Sequence, residues 1–71
     1  MIIKPPKKVF ACAIAGPNYS EVFEVNAEKA IADIISACEL DRDTAILNLI
    51  DTSEDNPLDL RIKNVSYWVE D

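Results

Sequence analysis

An amphipathic helix over residues 27–39 is the element that most constrains the fold of this 71-residue chain. Asn26 is a residue type that caps helix N-termini, and Val25 can pack against Ala30 as a hydrophobic staple. Apolar residues then recur with the i, i+3, i+4, i+7 spacing of one helix face: Ala27, Ala30, Ile31, Ile34, Ile35 and Cys38. This stripe faces a core, so the rest of the chain is expected to supply a second layer.

A β-hairpin is predicted before this helix. Residues 8–15 alternate between two side-chain faces, and residues 20–25 form a second short run of strand-forming residues. The segment Gly16-Pro17-Asn18 between them is a strong turn signal. The two runs therefore predict antiparallel strands joined by a loop of about four or five residues.

Two further strands are predicted after the helix. Residues 44–51 are apolar on both faces and are interpreted as a third strand, followed by a loop over residues 53–57. Residues 58–69 are interpreted as a long fourth strand in which the apolar alternation changes phase at Asn64. Because a one-residue slip moves every side chain to the other face of a sheet, the phase change predicts a β-bulge near Asn64.

These elements predict an α+β fold of the order ββαββ. It is a two-layer sandwich in which one helix covers one face of a four-stranded antiparallel sheet. Residues 1–71 are predicted to form a single domain with a basic N-terminal arm at residues 1–7. A chain of this length buries only roughly 60% of the surface that its unfolded form exposes, so a metal, disulfides or self-association would add useful stability.

The sheet face opposite the helix is predicted to be apolar and uncovered. Simple alternation places these residues on it: Val9, Ala11, Ala13, Ile46, Ile50 and either Tyr67 or Trp68. A bare apolar face suggests an interface, so a homodimer formed through this face or through an edge strand is one interpretation. The alternative is that the face consists mostly of alanine and stays in contact with water.

Charge is divided unevenly along the chain. Residues 1–20 contain three lysines and no acid, whereas residues 21–71 contain all thirteen acids and four basic residues. On the predicted topology one end of the fold collects six acids: Glu21, Glu39, Asp41, Asp43, Glu70 and Asp71. Acids beside a helix C-terminus are electrostatically unfavourable. The cluster is therefore interpreted as a binding surface for a basic partner, with simple solvation of the surface as the alternative.

No pattern in the sequence indicates an enzyme. The absence of histidine excludes Ser-His-Asp and Cys-His mechanisms and removes the commonest general base near neutral pH. There is also no Gly-rich loop to cradle a phosphate group. Cys12 and Cys38 are interpreted as two small buried hydrophobic residues. The sequence therefore predicts a protein without catalytic activity and without a cofactor.

A carboxylate site for a hard cation stays open as a lesser alternative. Glu39, Asp41 and Asp43 alternate along the chain, but an EF-hand loop needs a Gly at its sixth position and a Glu at its twelfth. Counted from Glu39, those positions hold Thr44 and Ile50. The expected metal content is therefore none.

Neither nucleic acid nor a membrane is an expected partner. Phosphate contacts require clustered Lys and Arg, and this chain has a formal net charge of −6. No apolar run approaches the roughly 20 residues of a membrane helix. The first eight residues do not have the charge order or apolar segment of a signal peptide, so a cytoplasmic location is expected.

One segment resembles small proteins of phages and mobile elements. Residues 22–32, Val-Phe-Glu-Val-Asn-Ala-Glu-Lys-Ala-Ile-Ala, are similar to the strand and alanine-rich helix of such proteins, which include anti-CRISPR and DNA-mimicking inhibitors. The resemblance implies a short acidic inhibitor that blocks the nucleic-acid-binding surface of a host protein. It implies no role for any individual residue.

The favoured hypothesis is therefore a non-enzymatic binding module whose acidic end covers a basic surface of another protein. That partner is expected to be a nucleic-acid-binding host protein. The second hypothesis is a homo-oligomeric structural or accessory module that associates through its apolar sheet face.

Overall fold

The computed structural model of the chain describes residues 3–70, which form a four-stranded antiparallel sheet and two α-helices, an α+β fold. The elements are β1 (Val9–Gly16), β2 (Tyr19–Val25), α1 (Ala27–Cys38), α2 (Arg42–Ile50), β3 (Leu58–Leu60) and β4 (Val65–Val69). A 3-10 turn over Arg61–Lys63 joins the last two strands. The sheet order is β2-β1-β4-β3, so β1 and β4 are central and β2 and β3 form the edges.

The predicted hairpin and first helix are confirmed. Strands β1 and β2 pair from Val9 opposite Val25 to Gly16 opposite Tyr19. Asn26 caps α1, because its side-chain oxygen accepts a hydrogen bond from the backbone N–H of Glu28 at 2.8 Å. The sequence predicted these elements correctly because turn residues and helix caps act locally: each favours a backbone conformation or forms hydrogen bonds with groups close in the sequence.

The predicted third strand at residues 44–51 is wrong, since this segment belongs to α2. Asp41 caps the helix: its carboxylate accepts hydrogen bonds from the Thr44 backbone N–H at 3.3 Å and from the Thr44 hydroxyl at 2.6 Å. The apolar residues that α2 buries follow a helical spacing: Ala45, Ile46 and Leu49. The fold therefore has two helices rather than one, and the predicted order ββαββ is also wrong.

The predicted long strand at residues 58–69 is two strands that form a hairpin. Leu60 pairs with Val65 across the 3-10 turn, and the chain reverses there. Asn64, where a β-bulge was predicted, instead adopts the left-handed conformation with φ of 54°. Asparagine tolerates this conformation better than other non-glycine residues, so it can end the turn and start β4.

Both helices pack on one face of the sheet, and the core lies between the two layers. Its buried members come from every element except β2: Val9, Ala11, Ala30, Ile31, Ile34, Ala45, Ile46, Leu49, Leu60, Val65 and Tyr67. Ile3, from the segment before β1, packs partly buried against this core. Neither of the two helices in residues 3–70 has the length and hydropathy needed to cross a membrane.

The predicted uncovered apolar face needs correction, because the structure buries most of its members. The core takes four of them: Val9, Ala11, Ile46 and Tyr67. Ala13 lies on the same helix-covered face, since it pairs with the core residue Val65, while Ile50 is exposed at the end of α2. Trp68 alone lies on the face without helices. The alternation along β1 was predicted correctly. The prediction placed Val9 and Ala11 on the uncovered face, however, whereas they lie on the face that the helices cover.

Candidate interaction surface

Strand β2 is the most exposed strand of the described chain. It pairs with β1 on one side and has no strand on the other, and six of its seven residues are exposed. Three of these are large and apolar: Tyr19 at 58% exposure, Val22 at 59% and Phe23 at 40%. An edge strand presents a row of unpaired backbone N–H and C=O groups, so apolar side chains on it make a template for another chain.

The side chains of β2 alternate between the two faces of the sheet. Val22 lies opposite Cys12 on the free face, the one that carries no helix, whereas Phe23 lies opposite the core residue Ala11 on the helix side. Apolar surface is thus available on both sides of the strand. We call the seven residues Tyr19–Val25 the β2 edge.

Two acids are interleaved with these apolar residues. Glu21 pairs with Ala13 on the helix side and Glu24 pairs with Phe10 on the free face, so each side of the β2 edge carries one carboxylate. The Tyr19 hydroxyl donates a long hydrogen bond of 3.4 Å to Glu21 Oε2. The β2 edge contains no Lys or Arg, so its only charges are the negative ones of Glu21 and Glu24.

The rest of the free face is partly covered by its own aromatic residues. Phe10 on β1 stacks on Trp68 on β4, with ring centroids 6.2 Å apart and planes inclined by 21°. The Lys8 ammonium lies 5.6 Å from the centre of the Phe10 ring. Trp68 is only 7% exposed. This aromatic pair therefore stabilises the two central strands, and the open apolar surface lies toward β2.

The six acids predicted to form one cluster do not come together. Glu39, Asp41 and Asp43 stay near one another in and beside the short connection between α1 and α2. The last turn of α1 lies beside β3, because Cys38 and Leu60 line one groove, and Glu39 follows directly.

The remaining acids of that set lie elsewhere. Glu21 is on β2, at the opposite edge of the sheet from β3. Glu70 lies at the opposite end from the β1–β2 turn, where its backbone N–H donates to the Lys8 carbonyl at 3.3 Å. The predicted single long strand had no reversal, so it placed Glu70 at the same end as the β1–β2 turn. In the structure the chain reverses between β3 and β4, and β4 runs antiparallel to β1. Asp71 falls outside the described residues.

Two of the acids near the helix connection stabilise the fold. They were predicted to oppose a helix dipole, but Asp41 is the N-cap of α2 and Asp43 lies in its first turn, where negative charge is favourable. The hydrogen bonds from the Thr44 hydroxyl and backbone lower the pKa of Asp41 below its usual range. The electrostatic argument for a binding role of this pair therefore no longer applies.

An ion pair links the two helices beside this connection. Arg42 donates to both carboxylate oxygens of Glu28, at 2.7 and 2.6 Å. These hydrogen bonds lower the pKa of the Glu28 carboxyl. Arg42, which lies between Asp41 and Asp43 in the sequence, is thus paired with α1.

Among the acids of residues 3–70, Asp33 has the most enclosed carboxylate, and it lies where α1 meets the sheet. It accepts a hydrogen bond of 2.5 Å from the Tyr67 hydroxyl, and the ammonium groups of Lys29 and Lys63 lie 3.4 and 4.0 Å from it. Burial acts to raise the pKa of Asp33, but Tyr67 and the two lysines outweigh it and lower that pKa. Burial and the Asp33 carboxylate raise the pKa of the Tyr67 hydroxyl. These groups satisfy one another, as structural ion-pair networks do.

Phe23 connects the β2 edge to this network. It lines a surface groove of about 430 Å³ together with Lys29, Asp33, Lys63 and Tyr67. The helix-side half of the edge is therefore bordered by polar groups that already have partners, whereas the free-face half borders Cys12 and Phe10.

Among residues 3–70, no three His, Cys, Asp or Glu side chains are placed to hold a metal ion. Cys12 and Cys38 are both free thiols. The interpretation that both are buried is wrong, because Cys12 is half-buried and Cys38 is exposed. The helical spacing of Cys38 was correct, but the chain beyond it turns away with Glu39 at φ of 55°, which leaves the end of that stripe uncovered.

Sequence reasoning assigned residues 20–25 to a strand but gave no role to its apolar side chains. Val22 and Phe23 are adjacent, so one of them must point away from the core whichever face the helix covers. Two adjacent apolar residues in the second strand of the hairpin were therefore the sequence signal for an exposed apolar side chain. Whether a partner strand could bind there depended on β2 being an edge strand, which only the sheet order determines.

Comparisons of the chain with protein-family models, curated proteins and solved structures give no match in any of the three. The resemblance of residues 22–32 to phage inhibitors stays a prediction.

Proposed function

We propose that this chain is a non-enzymatic protein-binding module that docks another protein on its β2 edge. The observation that carries the proposal is the exposure of Tyr19, Val22 and Phe23 on a strand whose outer side is unpaired. Addition of a partner strand to an exposed sheet edge is a recurrent mode of recognition, in which backbone hydrogen bonds give affinity and side chains give specificity.

The exposed edge differs from an edge that is protected against association. Proteins commonly protect such strands with charged side chains, especially lysine, with proline or with bulges, and the β2 edge has two such charges, Glu21 and Glu24. The β2 edge contains no Lys or Pro, and its pairing with β1 is regular from Val25 to Ser20. Its protection against association therefore rests on two carboxylates, and cations of a partner strand can pair with both.

The charge of the chain supports a basic partner. The net charge is −6, and the acids that flank the exposed apolar residues are Glu21 and Glu24. Long-range attraction between opposite charges raises association rates and is weakened by salt. Inhibition of a nucleic-acid-binding host protein in the cytoplasm is the form of this function that the sequence resemblance favours.

The test compares two variants that place the same charge on two exposed apolar sites. Val22→Lys interrupts the β2 edge, and Ile62→Lys, at an 84% exposed position on the 3-10 turn, is the matched control. Partner proteins are captured from a host lysate on each full-length chain, and amide hydrogen exchange is measured in the recovered complex. We expect Val22→Lys alone to abolish capture, and we expect the amides of residues 19–25 to gain protection in the wild-type complex.

Capture of a partner by itself does not show that the β2 edge is the docking surface. Equal capture by both variants, or protection that leaves residues 19–25 unchanged, would place the docking surface elsewhere and end the proposal.

A homodimer through the same edge is the second candidate, favoured by the exposure of Val22 and Phe23. A homodimer through the apolar sheet face is no longer supported, since Val9, Ala11 and Tyr67 lie in the core. Light scattering of the wild-type chain at micromolar concentration tests the edge form. A mass near the 7.9 kDa of one chain removes it.

A further inference from the structure

The order of side chains along the β2 edge specifies the chemistry of the strand that it can accept. The sequence Glu21-Val22-Phe23-Glu24 places acids at both ends of an apolar pair. Glu21 and Phe23 lie on the helix side, and Val22 and Glu24 lie on the free face. Residues directly opposite on neighbouring strands share a face and interact, so each of these four positions selects its counterpart.

We propose that the β2 edge binds an extended segment of another protein in which two basic residues flank two apolar residues. The inference rests on the proposed function, because it assumes that β2 is the docking edge. A Lys or Arg opposite Glu21 and another opposite Glu24 form cross-strand pairs of opposite charge. Apolar residues opposite Val22 and Phe23 cover the exposed surface of both. The pattern is basic-apolar-apolar-basic in either strand direction, because the order of charges on the edge is symmetric.

The two acids are available for such pairing. The ion pairs within residues 3–70 join Asp33, Glu28 and Asp59 to basic residues, and neither Glu21 nor Glu24 takes part in one. Lys7 lines a groove with Glu24 but lies beyond ion-pair distance. Each acid is exposed, and the long hydrogen bond from Tyr19 involves only one oxygen of Glu21, so a partner cation can reach both acids.

A second copy of the chain fits the edge less well than a basic segment. Two β2 strands paired antiparallel about Val22 place Glu24 opposite Ser20, and pairing about Phe23 places Glu24 opposite Val22. Neither register offers a cation to any carboxylate, and four acids accumulate along the joint edge. Two chains that each carry −6 also repel each other at low salt. Charge complementarity therefore favours a basic partner.

The experiment measures the binding of three fluorescein-labelled peptides to the full-length chain by fluorescence anisotropy at low salt. The first has Lys-Val-Ile-Arg at its centre, and the second has the same residues in the order Lys-Arg-Val-Ile. The third replaces both basic residues of the first with Glu. We expect the first to bind about tenfold more tightly than the third and several-fold more tightly than the second, because only the first places a cation opposite both acids.

A reciprocal charge change on the protein makes the test specific. The double variant Glu21→Lys/Glu24→Lys should reverse the order and prefer the Glu peptide. Both positions are exposed, so the fold should tolerate it, and circular dichroism checks this. If that variant unfolds, Glu21→Gln/Glu24→Gln replaces it, and the expected result is the loss of preference among the peptides.

The remaining outcomes separate the two proposals. If all three peptides bind equally and Val22→Lys abolishes this binding, β2 remains the docking edge but the proposed charge pattern is overturned. Binding that Val22→Lys does not weaken, or no binding at millimolar peptide, overturns both. A wild-type mass of twice 7.9 kDa that Val22→Lys returns to 7.9 kDa assigns the edge to a second copy and overturns the basic segment.

Discussion

The Tyr67 hydroxyl donates a hydrogen bond to Asp33 Oδ2 and so joins the central strand β4 to α1. The two residues are 34 positions apart in the chain. Lys63, on the turn that precedes β4, lies on the other carboxylate oxygen of Asp33 at 4.0 Å. One carboxylate therefore connects a helix, a strand and a turn, and its partners can be removed one at a time.

Tyr67→Phe should lower the free energy of unfolding by about 1.5–3 kcal/mol, the usual contribution of a hydrogen bond to a charged group. The ring is 2% exposed and stays in place, so the change isolates the hydroxyl. Urea denaturation at neutral pH measures the effect. Tyr19→Phe is the control, since Tyr19 is 58% exposed, and it should change the unfolding free energy little. Equal effects of the two variants would contradict the role given to the Tyr67 hydroxyl.

The stability of the chain should fall in acid partly through Asp33. Its folded pKa is lowered below the ordinary value of 3.8, so its contribution is complete above that value. The contribution disappears as the pH drops through the lower folded pKa. Wild type and Asp33→Asn should therefore differ most in urea midpoint at neutral pH and converge in acid. Asp55→Asn, in the exposed loop before β3, is the control, and a constant difference for Asp33→Asn across the range would refute the linkage.

Asp41→Ala should lower the melting midpoint by about 4 °C or more, because it removes the N-cap of α2. Asp55→Ala removes an acid without a capping role and should leave the midpoint nearly unchanged. Thermal melting followed by circular dichroism compares the two. A binding measurement on an Asp41 variant also needs this comparison, since lost binding can reflect a weakened helix.

Adjacent positions in α2 should respond differently to truncation. Ile46 is fully buried and Leu47 is 53% exposed, so Ile46→Ala should cost about 2–5 kcal/mol and Leu47→Ala well under half of that. Urea denaturation of both variants measures the contrast. Similar losses at the two sites would indicate a segment buried on both faces, as the strand interpretation of residues 44–51 required.

The first half of the fold followed from the sequence because its signals are local. Gly16 and Asn26 mark a turn and a helix cap, and each stands beside a segment with clear periodicity. Residues 44–51 gave no such answer, since a short apolar run fits a buried strand or a helix equally well. The deciding residue was Asp41, three positions before the segment, because Asp is a residue type that caps helix N-termini and Asp43 adds an acid to the first turn.

The candidate surface was less predictable than the fold. An acid becomes part of a binding surface only if the chain brings other acids or exposed apolar residues beside it. Glu70 and Glu39 are separated because β3 and β4 reverse direction at Asn64, a tertiary event that charge counting does not detect. Val22 and Phe23 were visible in the sequence, but their exposure depends on β2 occupying an edge of the sheet.

The β1–β2 hairpin extends past the strand that supports it. Pairing of β1 with β4 ends at Ala13 opposite Val65, with one more backbone hydrogen bond from Ile14 to Asn64, whereas β1 and β2 stay paired to Gly16. A two-stranded ribbon is marginally stable by itself. Amides of residues 15–20 should therefore exchange with solvent through local fraying, much faster than those of Ala11 and Tyr67. A partner that binds there would slow this local fraying. Binding would then be detected as slower amide exchange, even where the mean coordinates stay the same.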